Sequence, residues 1–156
     1  METGDDLREL MRRLAAPVAV LAIELDGRRS GVTVASFVSL SLDPPLVGVS
    51  LARTAALHEL LREVDLFVVN TLAADQDGVA QHFARGVPPI GLWQGVEVLD
   101  EPGAPLLAGA VGWLRGHVLA EHPAGTHTFF VGEIDSADPG PSDRPLAYFG
   151  HAYHGL

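Results

Sequence analysis

The chain has 156 residues, 47% of them hydrophobic and 19% charged, with a formal net charge of −10. That is a globular composition, long enough to bury a core, and its acidity argues against nucleic acid, whose phosphates demand a basic face. Cysteine and lysine are both absent, which excludes disulfides, thiolate metal sites, a cysteine nucleophile, a Schiff-base lysine and a P-loop lysine, and leaves arginine to hold any phosphate as a cation.

Taken in order, Leu7, Leu10, Met11 and Leu14 recur with helical spacing, with Asp5 or Asp6 as cap and Pro17 as terminator. METGDDLREL is no secretory signal and no run of residues is apolar enough to span a membrane, so a cytosolic single domain over residues 1–156 is expected. VAVLAIEL (18–25) is a strand, and Asp26-Gly27 is a hairpin turn into GVTVASFVSLSLDPP (31–45). That stretch reads as one strand carrying hydroxyls at Thr33, Ser36, Ser39 and Ser41, stopped by Asp43-Pro44-Pro45. LVGVSLA (46–52) is continuous enough to be buried on both faces. Leu57, Leu60, Leu61 and Val64 then mark a short helix over 54–64, with Thr54 as its N-cap.

LFVVNTL (66–72) returns to strand, and 75–85 is a second short helix turning Val79, Ala80 and Phe83 inward. Two prolines and three glycines make 86–95 a loop. From Val96 the chain is mostly extended through VEVL, AGAVGWLRGHVLAEH, a turn at Pro123-Ala124-Gly125, and THTFFVGEI. A tail rich in proline, glycine and aspartate (138–145) leads into PLAYFGHAYHGL. About seven strands against three short helices, without βαβ spacing or GxGxxG, predict a mainly β fold: a closed antiparallel barrel with peripheral helices.

Two features point to chemistry. The hydroxyls of the 31–45 strand face something polar, solvent or ligand. Ser50, Arg53 and Thr54 gather hydroxyls and a guanidinium at a predicted helix N-terminus, a plausible seat for a phosphate. Paired-carboxylate, nucleophile and metal constellations do not stand out. Glu133 and Asp135 read as solvated, and His117, His122, His127, His151 and His154 lack metal-site spacing.

GVTVASFVSLSLDPP followed by LVGVSL, then FVVNTLAADQ with HFA soon after, then GTHTFFVGEI, resembles the flavin reductase-like family in order and spacing, from about Leu10 to Tyr153. The resemblance implies a split β-barrel of Greek-key type, usually homodimeric. It also implies an NAD(P)H-dependent flavin reductase that supplies reduced flavin to a partner monooxygenase. Thr33, Val34, Ala35 and Ser36 would lie along an FMN or FAD ring and ribityl chain, with Ser39 in the same hydroxyl row. Ser50, Arg53 and Thr54 would hold the phosphate, Asn70 and Leu72 would border the ring, and Phe83 would pack nearby. His127 would sit where the nicotinamide of NADH or NADPH stacks, as the one catalytic candidate.

The sequence departs from the family at Thr126, where Gly-Asp-His is usual. That departure keeps open a non-enzymatic flavin carrier, and the histidines keep open a barrel adapted to another ligand such as haem. A 2′-phosphate would need Arg85 or Arg115. Trp93, Trp113, Phe129 and Phe130 are core or interface candidates.

Overall fold

The structure is a computed structural model that describes residues 2–85 and 91–156; part of the expected 86–95 loop lies outside the described residues. The first helix, α1 (Glu2–Met11), starts ahead of the expected caps, and none of its residues is buried. Leu7, Leu10 and Met11 share the predicted helical face, yet all three stand exposed.

β1 (Ala16–Pro17) leads into β2 (Ala19–Leu25). β2 and β3 (Arg28–Val34) form the expected hairpin. Its two turn residues, Asp26 at φ 52° and Gly27 at φ 75°, take the left-handed conformation that such a turn needs.

The expected single strand of 31–45 is two strands. The chain leaves the ladder at Ala35-Ser36 and re-enters as β4 (Phe37–Leu42), paired to β5 (Pro45–Ala52) rather than to β2. The reason is the Ser36 hydroxyl, which donates to the Ser50 carbonyl at 2.7 Å and accepts the Ser50 N–H at 3.2 Å. That side chain serves β5 at the point where the chain changes partner.

Three elements follow: α2 (Ala56–Leu61), β6 (Phe67–Thr71) and α3 (Asp77–Ala84). The expected VEVL strand shrinks to one bridge, Val98 to Leu107. β7 (Gly112–Ala124) and β8 (His127–Pro139) form a long hairpin. Its turn is Gly125-Thr126, with Gly125 at φ 61°, so Pro123 and Ala124 belong to the strand instead of the turn. β9 (Leu146–Phe149) and β10 (Ala152–Gly155) make a small sheet with β1.

The main sheet runs β3-β2-β6-β7-β8-β5-β4. Its two end strands are consecutive in the chain, and among the described residues no ladder joins them, so backbone pairing leaves the sheet unclosed. The fold is mainly β, with three short α-helices among the described residues. Among the described residues no helix is long and apolar enough to cross a membrane.

β2 is buried on both faces, as its unbroken apolar run requires. Ala19, Leu21 and Ile23 join Val34, Val49, Leu51, Phe67, Val69 and Phe130 in one core cluster, with Leu57 and Leu61 of α2. Val18 and Val20 face a second cluster with Leu72, Ala80, Phe83, Leu92 and Leu107, roofed by α3. Trp113 and Phe130 are core residues, while Trp93 is half-buried against Phe83 at 4.8 Å between ring centroids.

Candidate functional site

The end of β5 and the tip of the β7–β8 hairpin form one rim. Strand register sets Ala52 opposite His127 and Ser50 opposite Phe129. The Arg53 N–H donates to the Thr126 carbonyl at 3.1 Å, and Ser36 is tied to the backbone of Ser50. Ser36, Ser50, Arg53, Thr54 and His127, scattered over ninety positions in the chain, are thereby collected at one place. Ser36, Arg53, Thr54 and His127 are exposed and Ser50 is half-buried.

Arg8, Arg12, Arg29, Arg62 and Arg115 have carboxylate partners, whereas among the described residues Arg53, like Arg13, Arg28, Arg85 and Arg144, has none. An acidic chain that leaves a guanidinium unneutralised beside two free hydroxyls offers charge-assisted donors to an anion. α2 contributes less than expected. Its N-cap is Ala55, without a side-chain hydrogen bond, so Thr54 lies one residue too early to cap. Its hydroxyl stays available at the rim.

Among the described residues the one side-chain hydrogen-bond partner of His127 is the Thr126 hydroxyl, 2.9 Å from Nδ1. A hydroxyl can donate to or accept from that nitrogen, so it orients the ring without imposing a charge.

The remaining candidates lie elsewhere. Thr33, opposite Val20 on β2, donates its hydroxyl to the Ala80 carbonyl at 2.6 Å and so ties β3 to α3. Val34 points into the first core cluster, and Leu72 and Phe83 belong to the second. Ala35 is exposed at the β3–β4 link, and Ser39 is exposed on β4 opposite Val47. Asn70 is fully buried and spent on backbone: its amide N–H groups donate to Val20 and Pro105 carbonyls, and its carbonyl accepts the Leu107 N–H at 2.8 Å. The hydroxyl row of 31–45 is therefore divided, with Thr33 and Ser36 holding the scaffold together while Ser39 stays free. Arg115 pairs with Glu101, whereas Arg85 has no carboxylate partner among the described residues.

Sequence reasoning missed one polar residue in this region. His58 of α2 is buried, with Nε2 2.7 Å from the hydroxyl of Thr128, the residue after His127. The signal available was slight: a histidine directly after Leu57, on the inward side of a short amphipathic helix. Two other histidines have local roles, His117 pairing with Asp135 at 3.2 Å and His154 stacking on Phe149 at 3.8 Å.

Residues 11–156 match the flavin reductase-like domain family. The chain belongs to that family. This flavin reductase-like chain is 34% identical to the reductase component of a 4-hydroxyphenylacetate 3-monooxygenase from Thermus thermophilus, over 96% of its own length and 94% of the relative's. It is 35% identical to an NADH-dependent FAD reductase of Streptomyces globisporus, over 86% of its length and 76% of the relative's. Among solved structures, it superposes with a TM-score of 0.91 on an NADH:FAD oxidoreductase from Streptomyces globisporus in complex with NAD and FAD fragments. That match is 30% identical and covers 99% of this chain and 93% of the other. Arg53, without a carboxylate partner among the described residues, and the hydroxyl-bearing Ser50 and Thr54 on the same stretch of chain have the donor chemistry that the phosphate of a flavin nucleotide takes.

Proposed function

We propose that this chain is an NAD(P)H:flavin oxidoreductase that reduces FMN or FAD and supplies the reduced flavin to a partner monooxygenase. The observation that carries the reading is the rim itself, where a free arginine, two free hydroxyls and an exposed histidine meet in a chain of the flavin reductase-like family.

The flavin, when bound, supplies an electrophilic N5 that accepts hydride from nicotinamide C4, so both reacting atoms belong to the cofactors. The protein's work is to position. On this reading Ser50, Arg53 and Thr54 hold the phosphate, and the chain from Thr33 to Ser36, with Ser39, lies along the ring and ribityl chain. Asn70, Leu72 and Phe83 contribute indirectly: Asn70 by fixing backbone, Leu72 and Phe83 by packing in the second core cluster. His127, oriented by Thr126, is exposed at the rim to meet the nicotinamide. The Thr126 hydroxyl at Nδ1 leaves the other ring nitrogen and the ring face of His127 to make that contact.

The same reading takes residues 1–156 as one cytoplasmic split-barrel domain of Greek-key type. Its support is the first core cluster, which receives side chains from β2, β3, β5, β6 and β8 at once, as a strongly curled sheet requires. It also takes the protein as a homodimer. β4 is an edge strand with Val38, Leu40 and Leu42 exposed, Leu42 at 88%. Natural proteins rarely leave such an edge uncovered, and a second copy of the chain covers it. Sedimentation should give twice the chain mass for the native protein and the monomer mass for Leu42→Glu.

The test of function is oxidation of NADH and of NADPH, with FMN and with FAD, in air and without oxygen. Oxidation that depends on added flavin is expected. Unchanged nicotinamide absorbance in all four combinations would overturn the reading.

A further inference from the structure

His58 is buried within α2, with its ring edge-on to Phe130 at 5.3 Å. Its Nδ1 lies 3.0 Å from a Glu59 carboxylate oxygen and its Nε2 lies 2.7 Å from the Thr128 hydroxyl. A carboxylate only accepts, so in neutral His58 the Nδ1–H donates to Glu59 and Nε2 accepts the Thr128 hydroxyl proton. Glu59 also pairs with Arg62 at 3.3 Å, and Arg62 pairs with Glu121 on β7 at 3.0 Å.

The series Thr128–His58–Glu59–Arg62–Glu121 thus starts on β8 and returns to β7, the two strands of one hairpin. Register sets Thr128 opposite Pro123 and Glu121 opposite Phe130, so both anchors flank the tip that carries His127. The outer members are exposed ion pairs, which salt screens. The inner pair is different. A valine and a leucine would fill the same apolar space, but a buried hydrogen bond accepts only one distance and direction, so it fixes position where apolar packing leaves slack.

We infer that His58, through Thr128, is a positioning residue that holds the β7–β8 hairpin where it presents His127 to the nicotinamide. The inference rests on the reading of His127 given above. Because Thr128 side chain and His127 side chain point to opposite faces of β8, the buried bond acts as a peg on the inner face and the histidine is presented from the outer one.

The test is steady-state kinetics on the full chain, varying NADH at saturating flavin and flavin at saturating NADH, with thermal unfolding in parallel. Thr128→Val removes the hydroxyl at nearly constant volume, and His58→Phe keeps the aromatic contact with Phe130. Each should raise the KM for NADH about fivefold while the flavin KM stays within about twofold. His58→Gln, whose amide oxygen can accept the Thr128 proton, should recover most of the loss. A purely structural role lowers the melting temperature and the active fraction without splitting the two KM values.

The inference is overturned if Thr128→Val leaves the NADH KM within about twofold of native, or raises both KM values alike. If His58→Phe does not fold, Thr128→Val and its hydroxyl-retaining control Thr128→Ser decide alone. His127→Ala separates the two levels. A raised NADH KM there, with none in Thr128→Val, refutes the positioning role and keeps the reading of His127; an unchanged one refutes both.

Discussion

The backbone N–H of Arg53 donates to the carbonyl of Thr126 at 3.1 Å, so the unpaired arginine of the rim and the turn that carries His127 are fastened to each other. The bond uses only main chain. It leaves the guanidinium free for a ligand while fixing the backbone of Arg53 against that turn.

Replacing Arg53 with Gln should therefore weaken flavin binding without loosening the rim. Loss of a charge-assisted phosphate contact is worth about 1.5–3 kcal/mol, or roughly a tenfold to hundredfold rise in the flavin Kd. The melting temperature should hold, since the side chain is exposed. Calorimetric titration with FMN makes the measurement, and a Kd within twofold of native would remove Arg53 from the phosphate seat.

Asn70 should behave in the opposite way. Asn70→Ala leaves the Val20 and Pro105 carbonyls and the Leu107 N–H without their side-chain partner, and a buried polar group left unsatisfied costs roughly 1–3 kcal/mol. Urea unfolding should show a midpoint well below native. A stable protein with impaired flavin binding would instead mean that the amide serves the ligand directly.

Gly132 lets two strands meet. A Cβ there would lie 2.5 Å from the ring tip of Phe67, itself buried at 4% exposure. With the ring confined, Gly132→Ala should cost about 1–3 kcal/mol through overpacking, read as a fall in melting temperature. Gly48→Ala, whose Cβ would meet the half-buried Phe129, should cost less because that ring has room to swing.

Burial, and secondarily the neighbouring Tyr148, holds the Tyr153 hydroxyl above the ordinary value of 10.0. A group whose pKa rises on folding adds stability that is complete below the unfolded value and is lost as pH climbs through the folded one. Melting temperatures of the native protein should therefore drop from about pH 10 upward. In Tyr153→Phe that part of the slope should vanish. An identical slope in both proteins would assign the alkaline loss to other groups.

Local sequence determined much of this protein. Asp26-Gly27 set the first hairpin because only a short list of residues tolerates two successive positive φ values, and the apolar run of 18–25 marked a strand. The ordered motifs, from the hydroxyl-bearing 31–45 segment to GTHTFFVGEI, identified the family and gathered the candidates that meet at the rim. Those signals live within a few residues of chain, where periodicity and turn chemistry are readable.

Tertiary structure decided what depended on distant partners. The break at Ala35-Ser36 follows from a hydrogen bond to Ser50, 14 positions away. Asn70 is committed to Leu107, 37 positions on, and Thr33 to Ala80, 47 positions on. His58 meets Thr128 across 70. A hydroxyl or amide has the same local signature whether it faces a ligand or a backbone carbonyl, because hydrogen-bonding capacity belongs to the side chain but the partner is supplied by the fold. The sequence could thus name the polar residues, and only the packed sheet could divide them into those that build the scaffold and those left free at its rim.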